Sequence, residues 1–224
     1  MVIGASVAAL SGSHIDRIMD WLPDWSGDVV AVVASGSSAT SEVVGKLRGK
    51  CRVAVVNNSY QLAPWADLLY AADDDWWRWQ YKKDFAGLKV TCKERTAKDH
   101  GIHYIDLLGV IDTDEDQMVV EPKGMIARGG NSGFQLINIV TQTGCKKQIW
   151  MGFDFNGEHW HEKHPRPMKN PSQQTLDKWC RRLDGQAFIL ETMGVSVRLV
   201  SENSALTAFQ KVKEVEDAFV EFGL

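Results

Sequence analysis

Val29-Val30-Ala31-Val32-Val33, running straight into Ala34-Ser35-Gly36-Ser37-Ser38, is the stretch that decides the fold. Five consecutive apolar residues, four of them β-branched, show no polar alternation and are too few for a buried helix. They suit a strand covered on both faces, as in a parallel sheet. The small residues that follow end the strand, and Ala39–Leu47, closed by Gly49, reads as a helix. Small residues in such a strand–loop–helix let the main chain approach a ligand, and helix N–H groups with serine hydroxyls can hold phosphate oxygens. The loop lacks the second glycine of GxGxxG and the lysine of a Walker A motif. By itself it fits an ordinary tight turn equally well.

Outward from this unit, strands and helices alternate. Val53–Val56 is a second buried strand ending at Asn57-Asn58, and Leu68–Ala71 is a third. Asp73-Asp74-Asp75 opens a helix carrying Trp76, Trp77 and Trp79, since acids at a helix start cap free N–H groups and suit the dipole. Leu88–Thr91 and His103–Ile105 are further strands. Residues 109–122 are acidic, with a short strand expected at Met118–Val120. Gly129-Gly130-Asn131 leads into a helix from Ser132 to Gly144. Gln148–Gly152 is the next strand, followed by a polar loop from Asp154 to Pro171. Leu176, Trp179, Cys180, Leu183, Phe188 and Leu190 mark one long amphipathic helix. Val195–Val200 is a last strand, and the tail from Ser204 reads as helical. The pattern predicts an α/β, Rossmann-like three-layer sandwich with a mostly parallel sheet. One domain is expected over residues 1–224, with 1–28 as an N-terminal extension.

Bulk properties agree. Of 224 residues, 44% are hydrophobic and 24% charged, ordinary values for a globular chain. The formal net charge of −4 gives no global attraction to nucleic acid or membrane. Apolar runs fall well short of the roughly 20 residues that cross a bilayer. No Lys or Arg precedes Arg17, so the start is a poor signal peptide. Cys51, Cys92, Cys145 and Cys180 are scattered without a CxxC, as expected of reduced thiols in a cytoplasmic protein.

In a parallel sheet, ligands sit at the carboxyl ends of the strands. That rule selects Ser35, Gly36, Ser37 and Ser38; Asn57 and Asn58; Asn131, Ser132 and Gly133; and the loop that begins at Asp154. Asn57 or Asn58 can bond a ribose hydroxyl or a base edge, or simply form a turn. Asn131 or Ser132 can face an anion or cap a helix. His159, His161 and His164, three of the six histidines, crowd into one loop. They are candidates for acid–base chemistry or, with Asp154, for a transition metal. Asp73-Asp74-Asp75 can bind a divalent ion or cap a helix. Arg78, Lys82 and Lys83 beside the tryptophans can clamp nucleic acid or belong to a packed helix.

Taken in order, these loops resemble the bacterial sialyltransferases of glycosyltransferase family forty-two and related phage and bacterial proteins, a set that also includes the hydroxymethylpterin diphosphokinase-like proteins. The resemblance spans about residues 29–209. It rests on Ala34–Ser38, where the family has Asn-Gly-Pro-Ser; on Val55-Val56-Asn57-Asn58; on Ser132-Gly133 opening a helix; and on Ile149–Phe155, similar to a strand ending in Gly-Ile-Asp-Phe. It implies a metal-independent transferase with no required cofactor. A CMP-, UDP- or GDP-linked sugar would be held by the first loop, Asn57 or Asn58, and Asn131–Gly133. One of His159, His161 and His164 would deprotonate the acceptor hydroxyl, with Asp154 beside it. Ser35 and Ser37 depart from the family's loop, and the tyrosines that hold the leaving phosphate are missing, so sialic acid itself is not implied. The loop after Asp154 is closest to the phage proteins. For a phage protein in the host cytoplasm, the acceptor would be a glycan or a nucleobase. Self-association is left open. Two alternatives stand beside this one: a nucleotide-dependent pyrophosphokinase requiring Mg²⁺, and a non-catalytic phage protein that binds a nucleotide or a partner.

Overall fold

A computed structural model describes residues 20–82, 84–108, 116–157, 159–161 and 170–224. Eight strands form one sheet: β1 (Val29–Val33), β2 (Arg52–Val56), β3 (Leu68–Tyr70), β4 (Leu88–Thr91), β5 (His103–Tyr104), β8 (Lys147–Met151), β9 (Ser196–Val200) and β10 (Gln210–Val212). Their order is β10-β9-β8-β1-β2-β3-β4-β5, and every neighbouring pair is parallel. A small parallel pair, β6 (Asp106–Leu107) with β7 (Met125–Ile126), lies apart. The helices are α1 (Ser41–Gly45), α2 (Asp74–Trp79), α3 (Glu94–His100), α4 (Ser132–Gln142), α5 (Gln173–Asp184), α6 (Ala187–Thr192) and α7 (Val215–Phe222). This is the expected Rossmann-like α/β architecture.

The alternation along β1 divides the core. Val30 and Val32 join one apolar cluster with Phe134, Ile137, Leu183 and Leu190, from α4, α5 and α6. Val29, Ala31 and Val33 join another with Val44, Trp76, Trp77 and Phe219, from α1, α2 and α7. All five β1 residues are buried, so no polar residue can stand on either face, which is why the run lacks alternation. The described part of the N-terminal stretch belongs to the same body. Trp25 is buried, its N–H bonds Thr143 O at 2.9 Å, and Trp21 stacks on His103.

Three local expectations need correction. Met118–Val120 forms no strand, because side chains take its main-chain groups: Met118 N donates to Gln186 Oε1 at 3.0 Å, and α4 engages Val119. Asn138 Oδ1 accepts from Val119 N at 3.1 Å and Ala127 N at 3.0 Å, and Asn138 Nδ2 donates to Val119 O at 2.6 Å. Gln142 Nε2 donates to Val119 O and to Met125 O. The long amphipathic helix breaks at Gly185-Gln186 into α5 and α6. The tail is not helical from Ser204: its hydroxyl donates to Phe153 O at 2.6 Å, and an edge strand, β10, precedes α7.

Every α4 residue from Gly133 to Gln142 is buried. Asn138→Ala would leave two main-chain donors, Val119 N and Ala127 N, without their partner, while Val119 O keeps Gln142 Nε2; the cost is about 1–3 kcal/mol for each group that stays unsatisfied. Urea denaturation is expected to show a loss of about 3 kcal/mol; a loss under about 1 kcal/mol would mean that the segment re-pairs elsewhere.

Candidate functional site

The strand order reverses between β1 and β8, so their carboxyl ends flank the switch point where doubly wound sheets bind ligands. The two exits are laced together. Ala34 N donates to Met151 O at 2.8 Å and Gly36 N to Gly152 O at 2.9 Å. Position 36 must be glycine, since a Cβ there would lie 2.4 Å from Asp154 Oδ2 and 2.6 Å from Gly152 O.

Asp154 is 2% exposed. Its Oδ2 accepts from Ser38 N at 2.8 Å, and its Oδ1 accepts from Ser38 Oγ and Ser201 Oγ, both at 2.7 Å. Its main-chain oxygen accepts from Ala205 N at 2.9 Å. Asp154 therefore ties the segments after β1, β8 and β9 to one carboxylate. Gly152 N also donates to Ser38 Oγ at 3.1 Å. Both carboxylate oxygens are engaged, an arrangement suited to holding the loops rather than exchanging a proton.

The chain then folds back over the first loop. His159 bridges to Gly36 in antiparallel fashion. Trp160 N donates to Ser35 O at 3.1 Å, and Trp160 Nε1 donates to Ser59 Oγ at 3.3 Å. His159 Nδ1 lies 3.2 Å from the same Ser35 oxygen. A carbonyl only accepts, so Nδ1 carries the proton in this contact, and Nε2 holds the lone pair when the ring is neutral. The His161 ring stacks on His159, with centroids 5.1 Å apart.

A cleft of about 920 Å³ opens here. It is lined by Ser35 and Gly36, by Asn57, by Asn131, Ser132 and Gly133, and by Asp154 and His159. Four segments far apart in the chain thus meet at one opening. Asn57 holds a left-handed backbone, φ 46°, and its buried Oδ1 has no hydrogen-bond partner. Asn131 caps α4 through Oδ1, which accepts from Phe134 N at 2.9 Å, while its buried Nδ2 has no partner.

Other candidates are placed differently. Asn58 is buried and its Oδ1 accepts from Trp76 Nε1 at 2.9 Å, which braces α2. Ser38 belongs to the Asp154 clamp, and neither Ser37 nor His161 lines the cleft. His164 and Lys83 lie outside the described residues. Among the described residues, no group of three His, Cys, Asp or Glu side chains is arranged to hold a metal ion.

The cleft also contains residues that the motif reading did not single out as its lining. Lys93 and Arg128 bring positive charge, and Phe155, Leu176 and Trp179 form an apolar flank. Lys93 was findable, since it stands just past the carboxyl end of β4. Asp73, Asp74 and Asp75 line the wall together with Arg78. Asp74 Oδ1 accepts from Thr96 Oγ1, whereas Asp73 makes no side-chain cap bond although it occupies the cap position of α2. Enclosure by the cleft wall raises the Asp73 carboxyl above its ordinary value. Lys93 opposes that shift, and Asp74 and Asp75 add to it.

Fold and site together define a Rossmann-like α/β protein with a polar cleft at its topological switch point. A scan of the chain against protein-family models finds no match, and a search of curated proteins finds none either.

Two outcomes are expected. Asp154→Ala would strand several buried donors and lower stability by about 3 kcal/mol; a fully stable variant that loses only activity would give Asp154 a chemical role instead. Asp73, with its raised folded-state pKa, contributes stability below its ordinary value of 3.8, and this is lost as pH rises through the raised value. Asp73→Asn is thus expected to stabilise at pH 7, by under about 1 kcal/mol after solvent screening at this exposed residue. Melting curves across pH should show that gain vanish in acid.

Proposed function

We propose that the chain is a glycosyltransferase-like enzyme that takes a sugar from a nucleotide-activated donor, with His159 as general base. The observation that carries this reading is that Asn57 and Asn131, on two walls of the switch-point cleft, each hold a buried amide atom without a partner, Oδ1 and Nδ2. One accepts and the other donates, so a ligand with a hydroxyl or amino group at one end and an anionic or carbonyl oxygen at the other satisfies both. A nucleotide has this character. Its ribose or base would meet Asn57. Its phosphate would meet the first N–H groups of α4 at Ser132 and Gly133, where the helix dipole favours negative charge, with Arg128 and Lys93 in the same wall.

In the transfer step, an acceptor hydroxyl oxygen forms a bond to the anomeric carbon. The bond from that carbon to the donor phosphate oxygen breaks, and its electron pair leaves with the nucleotide. The hydroxyl proton passes to His159 Nε2. Among the described histidines of the loop, His159 is the one lining the cleft. The leaving charge falls on the α4 N–H groups and the nearby cations, a route that needs no metal. The acceptor is a glycan or a nucleobase, and a phage protein acting in host cytoplasm fits the loop after Asp154.

Asp73 and Asp75 face the same cleft, which favours a second reading: a pyrophosphokinase-type enzyme whose nucleotide arrives with Mg²⁺. There, alanine at Asp73 and Asp75 abolishes Mg²⁺-dependent nucleotide binding. The transferase reading leaves binding without Mg²⁺ intact in that variant.

The test is a thermal-shift screen with CMP-, UDP- and GDP-sugars, followed by turnover of the stabilising donor. Asn57→Ala should weaken donor binding about tenfold. His159→Ala should keep binding and cut turnover by about 10²–10⁴. Absence of stabilisation by every donor would sink the reading, and donor binding with turnover indifferent to His159 would leave a binding protein.

A further inference from the structure

Helix α5 buries Arg182, whose side chain is 0% exposed, with Nη1 3.9 Å from Asp116 Oδ2. That same Oδ2 accepts from Gly129 N at 3.1 Å. Gln186 Nε2 joins the pieces, donating to Asp116 O at 3.0 Å and to Arg182 O at 2.9 Å. On its other side the guanidinium abuts Gly130, where a Cβ would lie 2.6 Å from Nη1. Gly130 lines the cleft, whereas Arg182 and Asp116 do not. The carboxylate thus braces Gly129, and the cation stands directly behind Gly130, two residues before α4 begins.

Burying an ion pair is costly, and apolar replacement is often neutral or stabilising. A charge fixed in a low-dielectric setting does have an electrostatic effect, since its field reaches across a single glycine with little screening. We propose that Arg182 is a positioning residue for the anion-binding end of the cleft. It holds the Gly129-Gly130 turn with Asp116 and adds its field to the N-terminus of α4, so that phosphate-bearing ligands are selected over their uncharged counterparts. This rests on the nucleotide reading above and names the group that sets its phosphate preference.

The test compares each of CMP, UDP and GDP with its own nucleoside by calorimetry on the full chain. Arg182→Gln should weaken the bound nucleotide about tenfold and leave the nucleoside unchanged. Asp116→Asn keeps an oxygen for Gly129 N–H but removes the negative charge of Asp116, so the nucleotide should bind as tightly as to wild type or severalfold tighter. A purely structural role predicts that both variants weaken nucleotide and nucleoside alike, and that outcome overturns the proposal. If Arg182→Gln fails to fold, Arg182→Lys decides: with the charge retained, its nucleotide-to-nucleoside ratio should stay within about threefold of wild type, and a tenfold fall overturns the proposal. Wild type that binds nucleotide with a ratio untouched by Arg182→Gln overturns this inference alone. Wild type that binds none of the three nucleotides overturns the nucleotide reading and this inference with it.

Discussion

The carboxylate of Asp154 is the contact on which the working end of the molecule depends. Three parallel strands, β1, β8 and β9, deliver their exits side by side, and a parallel sheet has no hairpin to hold such exits together. Ser38 and Ser201 converge instead on one buried acid. The loop after β8 is thereby held close enough to bridge Gly36 and place His159 beside Ser35. Gly36 is the necessary complement, because any larger residue would displace the clamp.

A division of labour follows among residues that resemble one another in sequence. Asn57 and Asn58 are neighbours, yet one lines the cleft with its buried amide oxygen unpaired and the other supports a tryptophan in the core. Ser35 and Ser38 share a loop, yet Ser35 lines the opening while Ser38 anchors it. The left-handed backbone of Asn57 separates the first pair, since it turns two consecutive side chains into different surroundings.

This also explains what the sequence disclosed. The sheet was legible because the five residues of β1 and most of β2 are buried, and burial on both faces erases polar alternation in a way that spacing can detect. The four cleft loops were legible because strand ends in a parallel sheet share one side. Asp154 stood out by its place at a strand end, but its engagement with Ser201, 47 residues away, has no local signature. Met118–Val120 misled for a related reason. Its main-chain partners are amide side chains, Gln186 for Met118 and Asn138 and Gln142 of α4 for Val119, and the latter two look like ordinary polar positions of an amphipathic helix until the helix proves buried from Gly133 to Gln142. The histidines gave a composition signal without ranking themselves, because the ranking depends on how the loop crosses Ser35.

The shortness of the outer strands bears on how this protein behaves in company. A wide parallel sheet has two open margins, each a template on which a foreign strand can add. Here the margins are β5, of two residues, and β10, of three. At β10, Lys211 turns its ammonium onto Ser204 O, placing a hydrated cation along the rim. Such margins offer few consecutive donors and acceptors to a passing chain. Two such short rims, flanking an eight-stranded sheet of strongly apolar strands, disfavour edge-to-edge growth.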